Sequence, residues 1–241
     1  MEIYGKTDIG KKRHSNQDAF VTGRLTEDSA FAVVCDGMGG ANAGNVASHT
    51  GAEAIADYIL NSYRTDADGV ALEKILKNAI ESANMMIYDM SLKNADLSGM
   101  GTTVVAAIIQ KNSAVIAHVG DSRAYIVSEE LRQLTRDHSV VQTLLETGEI
   151  TPQDAKIHPK KNVITRALGV EENIIADSVE VAIDSGETLL ICTDGLTGFT
   201  DEKDILEIIK SNKPEAVADK LIELANSGGG GDNITVVTLT K

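Results

Sequence analysis

Residues Ala30–Gly44 read AFAVVCDGMGGANAG, and the rest of the chain is organised around them. The run Ala30-Phe31-Ala32-Val33-Val34-Cys35 is apolar throughout and stops at Asp36. Gly37, Gly39, Gly40 and Gly44 follow, and an alanine-rich helical segment begins. A buried strand that ends in a carboxylate and a glycine turn presents an acid at the edge of a core. Asp36 is therefore expected to be the hub of a metal site, provided other acids are presented in the same way. Thr188–Gly195, TLLICTDG, repeats the pattern, with an apolar strand running into Asp194-Gly195. A third case is reversed: Gly228–Gly231 lead into Asp232-Asn233 and then a strand, Ile234 to Leu239. In an antiparallel sheet the start of one strand shares an edge with the end of its neighbour, so Asp232 falls on the same edge.

Asp18, which closes the turn Arg13–Asp18, and Asp121, in Gly120-Asp121-Ser122-Arg123, are further candidates. Any one Asp-Gly pair is an ordinary turn; three acids at strand ends beside glycine are not an ordinary coincidence. Carboxylates gathered within a few ångströms cannot all stay ionised without positive charge. Lys and Arg are scarce around these motifs, so a divalent cation is the natural partner. The ligands are all oxygen, with no thiolate or histidine pattern of a zinc site, which favours Mg²⁺ or Mn²⁺. The Gly37 carbonyl, beside a residue with no side chain, can approach such an ion closely. Two ions ~3.5–4 Å apart polarise a shared water and clamp a phosphoryl oxygen. The chemistry this suits is hydrolysis of a phosphate ester without a covalent enzyme intermediate. Arg13 is the best candidate to hold the phosphate, because a planar guanidinium pairs with it bidentately; the alternative for Lys11-Lys12-Arg13 is a solvated basic turn.

The surroundings fit one domain, residues 1–241. Hydrophobic residues make up 42% of the chain, enough for a substantial core, and no linker or repeat divides it. The net charge of -14 argues against nucleic acid or an anionic membrane as partner. The first ten residues lack the apolar core of a signal peptide, and no stretch approaches the ~18 apolar residues of a membrane helix. Cys35 and Cys192, both in apolar runs, read as buried free thiols of a cytoplasmic protein. An opening strand is expected over Glu2–Gly10 and helices over Ala43–Tyr63, Asp201–Ser211 and Pro214–Ala225. Another helix carries Leu72, Ile75, Leu76, Ala79, Ile80, Ala83 and Ile87 at helical spacing. Thr102–Ile109, Ala114–Val119 and Ala124–Val127 look like neighbouring antiparallel strands, and Val179–Ile183 like a short alternating one. Asp137–Gly169 is the least regular region, with one short helix expected near Val140–Thr147.

With these pieces in place, the chain resembles the metal-dependent protein phosphatases of the PPM family, the type-2C serine/threonine phosphatases, in their compact bacterial form. The matching pieces run in the family's order: Arg13–Asp18, Val34–Gly40, Gly101–Thr103, Gly120–Arg123, Asn162–Gly169, Thr193–Gly195 and Gly231–Asn233. The resemblance implies an α+β fold, a four-layer α-β-β-α sandwich with two central antiparallel sheets. It implies that Asp36 bridges two Mn²⁺ or Mg²⁺ ions, that the Gly37 carbonyl binds one, and that Asp194 and Asp232 bind the other. Asp18 would act through a metal-coordinated water, Arg13 would hold the substrate phosphate, and Asp121 would share a third, weaker ion with Asp194. Residues 137–169 match the family's flap. Phosphorylated proteins are the expected substrates, a partner serine/threonine kinase among them, and a monomer is the expected state.

One departure stands out. Family members often carry a histidine just after the Asp-Gly of the central turn, where this chain has Met38-Gly39-Gly40-Ala41-Asn42. The proton for the leaving group would then come from metal-coordinated water or another histidine, with His138 and His158 the best placed. A regulatory protein that kept the fold and lost turnover, and a two-metal nuclease, are the alternative readings.

Overall fold

The computed structural model describes residues 1–40 and 43–241. Its strands form two antiparallel sheets. One sheet has the order β2 (Asp18–Thr26), β3 (Ser29–Met38), β5 (Val104–Gln110), β6 (Ser113–Val119) and β9 (Asp177–Ala182), with β4 (Gly101–Thr102) paired to the tip of β3. The other has the order β1 (Glu2–Asp8), β11 (Ile234–Thr240), β10 (Thr188–Cys192), β7 (Arg123–Val127) and β8 (Leu131–Gln133).

The period-2 alternation of side chains divides the core into three layers. Phe31, Val33 and Cys35 of β3 pack on α1 (Ala43–Ser62) and α2 (Gly69–Lys93), meeting Ile55, Ile59, Leu76, Ile80 and Ile87. Ala30, Ala32 and Val34 of the same strand face the second sheet and meet Leu189, Ile191, Val237 and Leu239. Beyond that sheet, Leu190, Cys192, Ile234 and Val236 pack on α6 (Glu202–Ser211) and α7 (Pro214–Ser227), against Ile205, Val217, Leu221 and Ile222. Helices thus cover both outer faces of a two-sheet sandwich, the α+β four-layer arrangement expected. Both cysteines are buried and free. No helix among the described residues is long and apolar enough to cross a membrane.

Several expectations change. The strands over 102–127 are not three neighbours. β5 pairs with β6, but β7 pairs with β8 and β10 in the other sheet. The chain changes sheets at Gly120, whose φ of +107° suits glycine and ends the ladder. A run of β-branched residues does not show whether the next strand turns back or crosses over. β3 does not stop at Asp36: it continues to Met38 because Gly37 and Met38 pair with Thr102 and Gly101. Residues Asp18–Thr26 also form a full strand, which places Asp18 directly opposite Asp36.

Residues 137–169 hold two short helices, α3 (Val140–Glu146) and α4 (Pro152–Ile157), where one was expected. Thr151 and Asp154 cap α4 reciprocally. The outgoing and returning arms are clipped together by Val140 N–H to Val163 O (2.9 Å) and Thr165 N–H to His138 O (2.8 Å).

Candidate metal centre

The inter-sheet layer runs past its apolar part and turns polar. Asp36 shares its face of β3 with Ala32 and Val34, and Asp18 stands across from it on β2. On the facing sheet, Thr235 continues the column of Val237 and Leu239, and Thr193 that of Leu189 and Ile191. Asp18 joins the two sides: its Oδ2 accepts from Thr235 Oγ1 at 2.7 Å and Thr193 Oγ1 at 3.0 Å.

Glycines let the acid-bearing segments close in. A Cβ on Gly37 would stand 2.0 Å from Gly44 O and 2.6 Å from Gln17 O, so β3, α1 and the residue before Asp18 touch there backbone to backbone. A Cβ on Gly195 would stand 1.9 Å from Asn233 O, which keeps Asp194 beside the Asp232 turn. Asp194 does not sit on a strand: it opens a one-turn helix, α5 (Asp194–Thr197), directly after β10.

Asn233 sews the Arg13–Asp18 turn to the start of β11. Its Oδ1 accepts from Gln17 N–H (2.8 Å), and its Nδ2 donates to Ile9 O and Ser15 O (both 3.0 Å). Arg13 is thereby held over Asp232, its Nη2 2.7 Å from Oδ2. Thr103 ties the remaining pieces: its Oγ1 accepts from Asp36 N–H (3.0 Å) and meets Ser122 Oγ (2.8 Å), next to Asp121.

A cleft of about 240 Å³ results, walled by Arg13, Asp36, Gly37, Asp121, Asp194 and Asp232, with Asn162 and Ile164 from the returning arm. Six of the seven residues singled out in the sequence line it. The seventh, Asp18, is 2% exposed and lies behind Asp36. Crowding shows in the acidities. Burial, then Asp18, Asp194, Asp121 and Asp232, hold the Asp36 carboxyl well above its usual range. Burial pushes Asp18 up to about 7 against the pull of the two threonine hydroxyls. Burial and then Asp194 push Asp121 to about 7, and burial and then Asp232 push Asp194 to about 6. Asp18 Oδ1 and Asp194 Oδ1 are buried without a donor. Buried carboxylate oxygens with no partner, in an all-oxygen set with one guanidinium at its rim, fit a hard divalent cation.

Several of these residues escaped sequence reasoning. Thr103, Asn162, Thr193 and Asn233 lie inside the matching motifs without any local signal of their role, and Thr235 lies outside them. Among the described residues no histidine lines the cleft. His138 and His118 are buried and stacked on one another, and His158 Nδ1 accepts from Lys160 N–H at 3.1 Å, within its own turn. Ala41 and Asn42, in the stretch where the family often has a histidine, lie outside the described residues.

Comparison with known proteins points the same way. The family profile described as Protein phosphatase 2C matches residues 7–223. The serine/threonine phosphatase stp of Listeria monocytogenes is 42% identical over 246 aligned positions, covering 100% of this chain and 96% of that one. The crystal structure of serine/threonine phosphatase Stp1 from Staphylococcus aureus superposes with a TM-score of 0.93 at 34% identity, over 100% of this chain and 94% of that one. A structure of the catalytic domain of the serine/threonine protein phosphatase PstP, in complex with two manganese ions, gives 0.86 at 34% identity, covering 98% and 96%.

Proposed function

The chain belongs to the protein phosphatase 2C family of serine/threonine phosphatases, and we propose that residues 1–241 act as one catalytic domain hydrolysing phosphoserine and phosphothreonine in proteins with divalent cations, Mn²⁺ or Mg²⁺. The observation that carries this reading is the convergence of four aspartates on one cleft with a fifth, Asp18, buried behind Asp36; Asp18 and Asp194 each keep a buried, unpartnered oxygen. Asp36 and the Gly37 carbonyl, with Asp194 and Asp232, hold two core cations in this proposal. Asp121, on the same wall, shares a third and weaker one with Asp194. Asp18 acts at one remove, accepting hydrogen bonds from water rather than touching a cation. When bound, paired divalent ions supply Lewis acidity for the phosphoryl oxygens and make water acidic enough to attack.

The protein's own groups do the rest. Arg13 is 49% exposed at the rim, and with a cation beside Asp232 its guanidinium turns to the substrate phosphate. The Thr103 hydroxyl is engaged by Asp36 N–H and Ser122, and both cysteines are buried in strands. With the cleft's aspartates assigned to the cations in this proposal, water is the proposed nucleophile, with no covalent enzyme intermediate. Protonation of the leaving oxygen likewise falls to water. Phosphoproteins are the proposed substrates, a serine/threonine kinase among them, and a cytoplasmic monomer is the proposed state.

The test is dephosphorylation of a phosphothreonine peptide by purified protein with Mn²⁺. Activity should vanish with chelator and in Asp36→Asn and Asp194→Asn. A protein that binds Mn²⁺ and folds but turns nothing over, or one whose activity ignores the chelator, would sink this reading.

A further inference from the structure

Outside the cleft, His118, His138 and Asp177 form a cluster among the described residues whose ligand-type atoms lie within 4.8 Å of one another. It does not read as a cation site. The His138 Nδ1 accepts from Gly120 N–H at 3.1 Å. A backbone N–H is always a donor, so that nitrogen is bare and the ring proton sits on Nε2. Nε2 faces Asp177 Oδ2 at 3.3 Å and stands 3.2 Å from Arg166 Nη1, which itself donates to Asp177 Oδ1 at 2.9 Å; with the ring proton on Nε2, Asp177 is the hydrogen-bond partner and the guanidinium a neighbour. The place a metal would take already holds a proton and a guanidinium.

What the cluster does hold is Gly120. The His138 ring accepts the Gly120 N–H, and the His138 backbone N–H donates to Gly120 O at 2.8 Å. One residue therefore satisfies both polar groups of the glycine that precedes Asp121. The grip is firm for three reasons. His138 is 4% exposed, so water does not compete for it. Its ring is braced by the stacked His118, at 4.8 Å between centroids, and by Asp177. Gly120 itself, at φ +107°, has Thr103 Cβ only 2.6 Å from where a side chain would begin, so the turn has no room to shift that way. On the other side of Asp121, Ser122 is tied to Thr103. His138 also belongs to the stem of the 137–169 segment, through Thr165 N–H to its carbonyl.

We propose that His138 is a positioning residue: by gripping both polar groups of Gly120 it sets where Asp121 enters the cleft, and it links that position to the 137–169 segment. This rests on the reading of Asp121 as a cation ligand. Two substitutions separate the ring's two ends. In His138→Asn the side-chain oxygen falls where Nδ1 was and can still accept from Gly120. In His138→Gln the polar end reaches toward Asp177 instead.

Two measurements follow, both on the full chain with melting curves as the folding control. The first is amide hydrogen exchange at Gly120 by NMR in Mg²⁺. The amide should be as protected in His138→Asn as in the wild type, and exchange at least about tenfold faster in His138→Gln. The second is the Mn²⁺ concentration needed for half-maximal phosphopeptide turnover. It should rise about tenfold in His138→Gln, the scale seen when a group supporting a metal ligand is lost, and stay near wild type in His138→Asn. Protection kept by Gln and lost by Asn overturns the proposal, as does equal protection in both. An unchanged Mn²⁺ requirement in both variants overturns it too and leaves the phosphatase reading intact. Asp121→Asn is the parallel control: if it does not raise the Mn²⁺ requirement, the assignment of Asp121 as a ligand is what fails.

Discussion

Asp18 provides a quantitative test of the crowded cleft. Its carboxyl is 2% exposed, has one oxygen without a donor, and is pushed up to about 7 from an ordinary 3.8. The folded chain therefore holds this proton more tightly than the unfolded chain does. Between pH ~4 and ~7 the native state carries more protons, so stability falls as pH rises through that window and levels off above it. The ratio of the two affinities, roughly a thousandfold, is worth about 4 kcal/mol at most. For a chain of this length, about 2–4 °C of melting temperature goes with each kcal/mol, so the fall is roughly 8–16 °C. Asp18→Asn mimics the protonated form at every pH and still offers an oxygen to Thr193 and Thr235. The assay is thermal melting of chelator-treated protein at several pH values from 4.5 to 8, wild type against Asp18→Asn. The gap between the two curves should open in favour of the variant as pH rises. Parallel curves would mean that Asp18 is ionised in the metal-free fold, and the account of the cleft's charge would be wrong.

Mn²⁺ should raise the melting temperature of the wild type near pH 7.5, since binding to the native state alone adds about 2.7 kcal/mol at a hundredfold excess over Kd; an unmoved curve at millimolar Mn²⁺ would count against a preformed site. Gly195→Ala drives a Cβ to 1.9 Å from Asn233 O and should cost about 1–3 kcal/mol by overpacking, together with a raised Mn²⁺ requirement. Gly40→Ala, with nothing among the described residues within 4 Å of its Cβ, should do neither, as paired melting and Mn²⁺ titrations can check. Arg13→Ala should lower kcat/KM on a phosphopeptide by about 10–100-fold, the worth of charge-assisted hydrogen bonds. Arg13→Lys should recover only part of that, because an ammonium keeps the charge and loses the fork; full recovery would argue against bidentate phosphate binding.

Much of this was legible in the sequence, and the physics says which part. The unbroken apolar runs Ala30–Cys35 and Leu189–Cys192 mark strands buried on both faces, and the spacing from Leu72 to Ile87 marks one helix face, because these signals are local. Asp36, Asp121, Asp194 and Asp232 were legible for the same reason, each lying next to its own glycine. What holds them was not. The hydroxyls that grip Asp18 are 175 and 217 positions away, and no window of sequence pairs Asp18 with Thr193 or Thr235. The change of sheet at Gly120 was hidden because a run of β-branched residues does not record that Thr103 closes on this turn. Asp36 looked like a strand terminus because the glycines after it suggest a turn; pairing with Thr102 and Gly101 prolonged the strand.

The joining of the two sheets through Asp18 bears on the order of events during synthesis. Asp18 and Asp36 leave the ribosome well before Asp194, Asp232 and Thr235: Thr193 and Thr235, which grip Asp18, follow it by 175 and 217 positions. A nascent chain can stack β2 and β3 against their helices while still lacking half of the charge-gathering wall. Contacts this far apart in sequence form late, after a large loop-closure cost. Affinity for cations should therefore arrive in one step, with the last strand, rather than growing along the way. A chain that had not yet reached Asp194 and Asp232 would neither capture metal nor act on phosphoproteins around it, so the topology keeps the activity silent until those segments are in place.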